Sequence, residues 1–184
     1  MRSRSLHLLL LLAVALGSAL AAPGSALAAP ACANADTKPG NATEAVLAKS
    51  TVCLLNRERT RRRMGALRTN GRLSRAALSH TLDMVQKRYF EHVSTTGLDV
   101  VDRLTSTGYL GAVRSWAVGE NLAWGTGARS TPRETVIGWM NSPGHRRNIL
   151  NRRFREIGIG VVFHAPGNDA PVAATYTTTF GYRR

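Results

Sequence analysis

The spacing of apolar residues changes several times along this chain, and each change marks a different kind of element. From Leu6 to Leu20 they are nearly continuous, broken only by His7, Gly17 and Ser18. Residues 29–42, rich in Ala, Asn, Pro and Gly, read as a lead-in. A helical pattern follows. The first helix is predicted from about Thr43 to Arg63, with Val46, Leu47, Cys53 and Leu54 recurring at seven-residue spacing and Gly65 ending it. The second is predicted from about Leu73 to Tyr89, with Leu78, Leu82, Val85 and Tyr89 as its buried stripe. A short helix is expected around Asp99 to Ser106. The next has a start signal: Thr131 can cap, Pro132 suits the first turn and Glu134 completes a capping box, while Ser142-Pro143-Gly144 ends it after Asn141. The period then falls to two. Ile157, Ile159, Val161 and Phe163 make one strand and Val172, Ala174, Tyr176, Thr178 and Phe180 another, joined by a turn at 165–169. Gly158 and Gly160 leave room for another element to come close to one sheet face. Helices first and a hairpin last predict an α+β domain, helices packed on an antiparallel sheet.

The ends and the charge add a compartment. Arg2 and Arg4 precede the first apolar run, and the small-x-small triplet Ala26-Leu27-Ala28 follows it. Residues 1–28 therefore read as an export signal cut after Ala28, with Ala19-Leu20-Ala21 a second candidate site. The run is shorter than the ~20 residues of a spanning helix, and no later segment is apolar enough to span. The mature chain, about 155 residues, is expected outside the cell as one domain over 43–184 behind the 29–42 lead-in. Of the 25 basic side chains two fall in the signal, leaving 23 against 11 acidic ones, a net charge of +12. Outside a cell that charge argues against nucleic acid and toward an anionic cell-envelope polymer, a lipid headgroup or a protein ligand. The arginines at 57, 59, 61, 62 and 63 read as helix C-terminal cations or as a polyanion contact. Cys32 and Cys53 are an even pair, suggesting one disulfide from the lead-in to the first helix, with two free thiols the alternative.

Three segments carry the candidate chemistry: Phe90-Glu91-His92; Gly119-Glu120-Asn121-Leu122, read as part of a Gly-rich turn; and Trp139 through Leu150, containing Ser142, Gly144, His145, Arg146, Asn148 and Ile149. With the closing Gly158-Ile159-Gly160 strand, these segments in this order resemble the CAP superfamily (cysteine-rich secretory, antigen 5 and pathogenesis-related 1 proteins), bacterial members above all, from about Val46 to Tyr182. The resemblance implies an α-β-α sandwich with a central antiparallel sheet. It also implies a cleft lined by two His and two Glu. By motif, His92 and His145 match the histidines and Glu120 matches one glutamate; the second glutamate's position holds Ser142, and Glu134 is too far up its helix to replace it.

Two neutral imidazoles and a carboxylate could hold Zn²⁺, with His92 and His145 as the metal ligands, as some relatives do. Without metal, Glu120 could act as a general base beside a histidine. No nucleophile elbow is present, and the Ser142 hydroxyl has no stated partner. The plain alternative is that Glu120 and His145 hold loops through hydrogen bonds. His80 reads as a partly buried helix residue, His164 as an exposed strand end, and Trp124 and Trp139 as core or cleft-wall aromatics. The function classes left are a secreted binding or scaffold module, a metal- or Glu/His-assisted hydrolase of peptidase type, and a structural envelope protein.

Overall fold

The computed structural model describes residues 31–184; the expected export signal and its cut at Ala28 lie outside them. The elements follow as α1 (Glu44–Thr60), β1 (Arg68–Thr69), α2 (Gly71–Lys87), α3 (Val100–Ser106), β2 (Trp116–Thr126), α4 (Pro132–Asn141), α5 (Pro143–Ile149), β3 (Glu156–Val162) and β4 (Ala173–Arg183). The sheet order is β1-β3-β4-β2. The three long strands pair antiparallel, and only the two-residue β1 runs parallel to β3.

The alternation along β4 divides the molecule into three layers. Ala174, Tyr176 and Phe180 face α1, α4 and α5, where Leu47, Leu54, Leu55, Trp139 and Ile149 complete the main core with Ile157 and Val161. Thr175, Thr177 and Thr179 are offset by one and face α2: Thr177 accepts from Thr81 Oγ1 at 2.8 Å, and Thr179 donates to Leu73 O at 2.9 Å. The α-β-α sandwich is therefore present. So are the expected helix starts. Thr43 caps α1, Asp99 and Asp102 form a reciprocal capping box on α3, and Thr131 accepts from the Glu134 N–H at the head of α4, where the expected box stays half-made because the Thr131 N–H donates to Ala128 O rather than to Glu134.

Three sequence expectations are corrected. The buried face of α2 is Leu73, Ala76, Ala77, His80, Thr81 and Met84, while Leu78 and Leu82 of the expected stripe are 41% and 38% exposed. The cause is close packing. A Cβ on Gly158 would lie 2.1 Å from the Leu73 backbone and one on Gly160 2.4 Å from that of Leu78, so α2 presents its small residues to the sheet and turns its large ones out. Second, the Gly119–Gly125 segment is no turn but the middle of the edge strand β2, paired along its length with β4. Its alternation is hidden because the residues toward α4 and α5 are small: a Cβ on Gly119 would meet Asn148 Oδ1 at 3.0 Å. Third, α1 ends at Thr60, and the left-handed residue after it is Arg63 (φ 56°) rather than Gly65.

Arg59 is not a surface cation. Its guanidinium is buried and donates to the carbonyls of Gly65, Ile149, Asn151 and Phe154 at 2.7–3.3 Å, tying α1 to the α5–β3 connection. Cys32 and Cys53 are bonded, fastening the lead-in to α1, and Asp36 of the lead-in pairs with Arg133 of α4 at 2.6 Å. Among the described residues no helix is long and apolar enough to cross a membrane.

Candidate functional site

Glu120 sits near the middle of β2 with its side chain on the α2/α3 face, opposite Thr179 of β4. Its carboxylate is nearly inaccessible and fully engaged. Arg103 Nη2, on α3, donates to both oxygens at 3.0 and 2.8 Å, and His92 Nδ1 lies 2.9 Å from Oε1. A carboxylate only accepts, so His92 carries its proton on Nδ1 and turns Nε2 outward. Arg103 also donates to the carbonyls of Leu98 and His92, so one buried guanidinium holds the strand carboxylate and both ends of the loop that delivers the imidazole. The His92 side chain itself remains 57% exposed.

The other histidine arrives from the opposite layer. Ser142 closes α4 and opens α5, which Pro143 starts, and His145 follows on that short helix. Asn121, on the α5 side of β2, donates to His145 O at 3.1 Å. Asn148 Nδ2 donates to Glu120 O and to Asn121 Oδ1, and Trp139 Nε1 donates to Leu122 O. Side chains of α4 and α5 thus take up carbonyls of the edge strand and fix α5 against it. His145 is half-buried; desolvation first, and the charge of His92 second, hold its pKa below the usual value. It is therefore mostly neutral at pH 7, one ring nitrogen carrying the N–H and the other left with a free lone pair.

His92 and His145 are the candidate ligands for a divalent ion, and the charge of His92 is felt at His145. His92 Nε2 and an imidazole nitrogen of His145 would hold it, and Glu120 would orient His92 from behind, as carboxylates commonly do for metal-bound imidazoles. No group of three or more His, Cys, Asp or Glu side chains is placed to share a metal among the described residues. Glu120 is turned to Arg103, and Glu134 lies exposed on α4 away from the site. Water or a ligand would have to supply the remaining positions. Among the described residues no hydrogen bond joins the Ser142 hydroxyl to an imidazole, so no Ser–His pair is assembled.

His80 is more buried than expected. Its Nε2–H donates to Glu91 O at 3.0 Å, while Nδ1 is buried without a partner. Trp139 is core; Trp124 and Trp116 stand 42% and 44% exposed on β2, and His164 is exposed. Arg103 was missed in the sequence because a lone arginine in a helix carries no motif. Asn121 and Asn148 belong to the quoted motifs, where their role could be suspected but not assigned.

The sequence pattern of the cysteine-rich secretory protein family matches residues 52–182. Protein YkwD of Bacillus subtilis (strain 168) is 40% identical over 114 residues, which are 62% of this chain and 42% of that protein. Membrane protein YlbC of the same organism is 32% identical over 117 residues, 61% of this chain and 31% of that one. The chain thus spans less than half the length of these relatives. An extracellular protein with an SCP domain from Bacillus anthracis superposes with a TM-score of 0.58 at 28% identity, over 77% of this chain and 44% of that one. An outer surface protein of Borrelia burgdorferi, at 19% identity and a TM-score of 0.59 over 72% of this chain and 90% of that one, shares the fold.

Proposed function

Since this chain belongs to the cysteine-rich secretory protein family, we propose that it is a secreted, non-catalytic binding module that engages an anionic envelope polymer through its basic surface. The observation that carries this reading is the occupancy of Glu120. Both its oxygens accept from Arg103 and one also from His92, so the carboxylate is spent on structure and is not free to take a proton from water. Ser142 stands where the family's second glutamate does, and Asp83, an acid close to His80 and Arg103, is paired with Lys87 and accepts from Tyr89. His92 and His145 can still hold a divalent cation such as Zn²⁺, which would bridge the loop carrying His92 to α5 and rigidify the cleft. The net charge of +14 on the whole chain supports a polyanionic ligand over a neutral one.

Co-sedimentation of the purified protein with isolated cell envelope tests this. Retention should be strong at low salt, fall steadily as NaCl rises, and persist in a His92→Ala/His145→Ala variant. Soluble fragments released from the envelope by the wild type and not by that variant would show instead that the cleft is a hydrolytic site.

A further inference from the structure

The turn after α1 and the α5–β3 connection enclose a depression of about 440 Å³. Arg59 forms its floor; Arg63, Arg152 and Arg155 stand around it beside Gly65 and Ala66. No acidic side chain lines it, and none of the four arginines has a carboxylate partner among the described residues. The acids adjacent to lining residues in the chain are committed elsewhere: Glu58 pairs with Arg61 and Arg62, and Glu156 pairs with Arg183 and accepts from Asn70 and Tyr109.

The cationic group is also held in place. Arg59 is immobilised by four carbonyls, and Arg155 Nη1 donates to the carbonyls of Arg152 and Phe154. Burial first, and the charge of Arg155 second, press the Arg59 pKa down. Arg63 occupies a left-handed backbone position at φ 56°, where glycine is the usual residue after a helix C-terminus. A long cation at that position projects from the turn at the rim of the depression.

We infer that this depression is a phosphoryl-binding site, taking a phosphodiester group of an anionic polymer. The inference rests on the proposed reading of the protein as an envelope-polymer binder, and locates the contact. The guanidinium forks of Arg63 and Arg152 match the paired oxygens of a phosphodiester, while Arg59 and Arg155, whose N–H groups are largely taken by carbonyls, add fixed positive charge beside them. A membrane surface fits less well, because none of the exposed large apolar side chains lies among the residues lining the depression.

The test titrates soluble poly(glycerol phosphate), and separately inorganic phosphate, against the wild type, an Arg63→Gly/Arg152→Gln variant, and a charge-matched Arg75→Gln/Arg114→Gln control on α2 and the α3–β2 loop. The polymer should bind the site variant at least about tenfold more weakly, and the control within about twofold of the wild type. Phosphate should shift the amide resonances of residues 63–66 and 152–155 in the wild type and the control but not in the site variant. Arg63→Gly suits the left-handed backbone, so the melting temperature should hold, and lost binding then reports the site rather than unfolding. Equal weakening of both variants would overturn the site and leave the envelope reading standing, since only total charge would matter. Binding to phosphatidylglycerol vesicles but not to the polymer would overturn it in favour of a lipid surface. Failure of the wild type to adsorb to whole envelope at low salt would instead refute the broader reading, while the phosphate titration still reads the site by itself.

Discussion

Arg103 Nη2 reaches both oxygens of Glu120 in a place where neither side chain meets much solvent, and the same side chain holds the carbonyls of Leu98 and His92. A buried ion pair is no guarantee of stability, yet removing one partner strands the other's charge. Arg103→Met should cost about 3–5 kcal/mol in urea unfolding. It should also make the loop between α2 and α3 the first point of proteolysis, since both its carbonyl anchors go with the guanidinium. Adding Glu120→Gln should recover much of the stability but not the loop, because the uncompensated charge is then gone while the anchors stay lost. An Arg103→Met protein within 1 kcal/mol of wild type, by the same measurement, would mean that the pair holds nothing. The sequence named two of the three residues that touch here, His92 and Glu120, because each sits in a dense motif. It could not name Arg103, whose only distinction is the place its helix puts it.

At the scale of elements, what the sequence hid and what it showed have one physical source, the distance between α2 and the sheet. Periodicity located α2 and both strands of the hairpin, and Gly158 and Gly160 were read as a place of close approach. Close approach then selects small residues on the helix as well, so the apolar periodicity of Leu78 and Leu82 pointed to the wrong face. The same reasoning explains β2, whose small and polar residues toward α4 and α5 masked a strand. Two sets of variants separate these roles. Gly158→Ala or Gly160→Ala pushes a methyl group into helix backbone that cannot turn aside, and should cost about 3 kcal/mol or more, above the usual range for an overfilled core. Leu78→Ser and Leu82→Ser should each change stability by less than about 0.5 kcal/mol. A large loss from Leu78→Ser in a denaturant melt would restore the face read from the sequence.

For the molecule as a whole, three layers share one sheet, and groups buried between them couple its stability to pH. His80 lies in the α2–sheet layer. Its pKa is lowered first by burial, with the charge of Arg103 adding to the effect; Glu120, the Glu91 carbonyl and Asp83 oppose it. His145, across the sheet, is lowered in the same direction. A histidine whose folded pKa lies below its ordinary 6.5 takes a proton more readily in the unfolded chain. Its contribution is therefore complete above pH 6.5 and is lost as pH falls below that value. Asp36, Asp83, Asp99 and Asp169, all held below the ordinary 3.8 in the folded chain, add a second loss at lower pH, as they become protonated. Urea midpoints followed from pH 8 to pH 3 should thus be flat at first, decline between about 6.5 and 5, and decline again below about 4. His80→Gln, which keeps a donor for the Glu91 carbonyl but cannot take up the proton, should reduce the upper decline to the part due to His145 and leave the lower one. A wild-type curve that stays level down to pH 4 would show that the unfolded chain gains no protons there, and that neither histidine is held neutral by its layer.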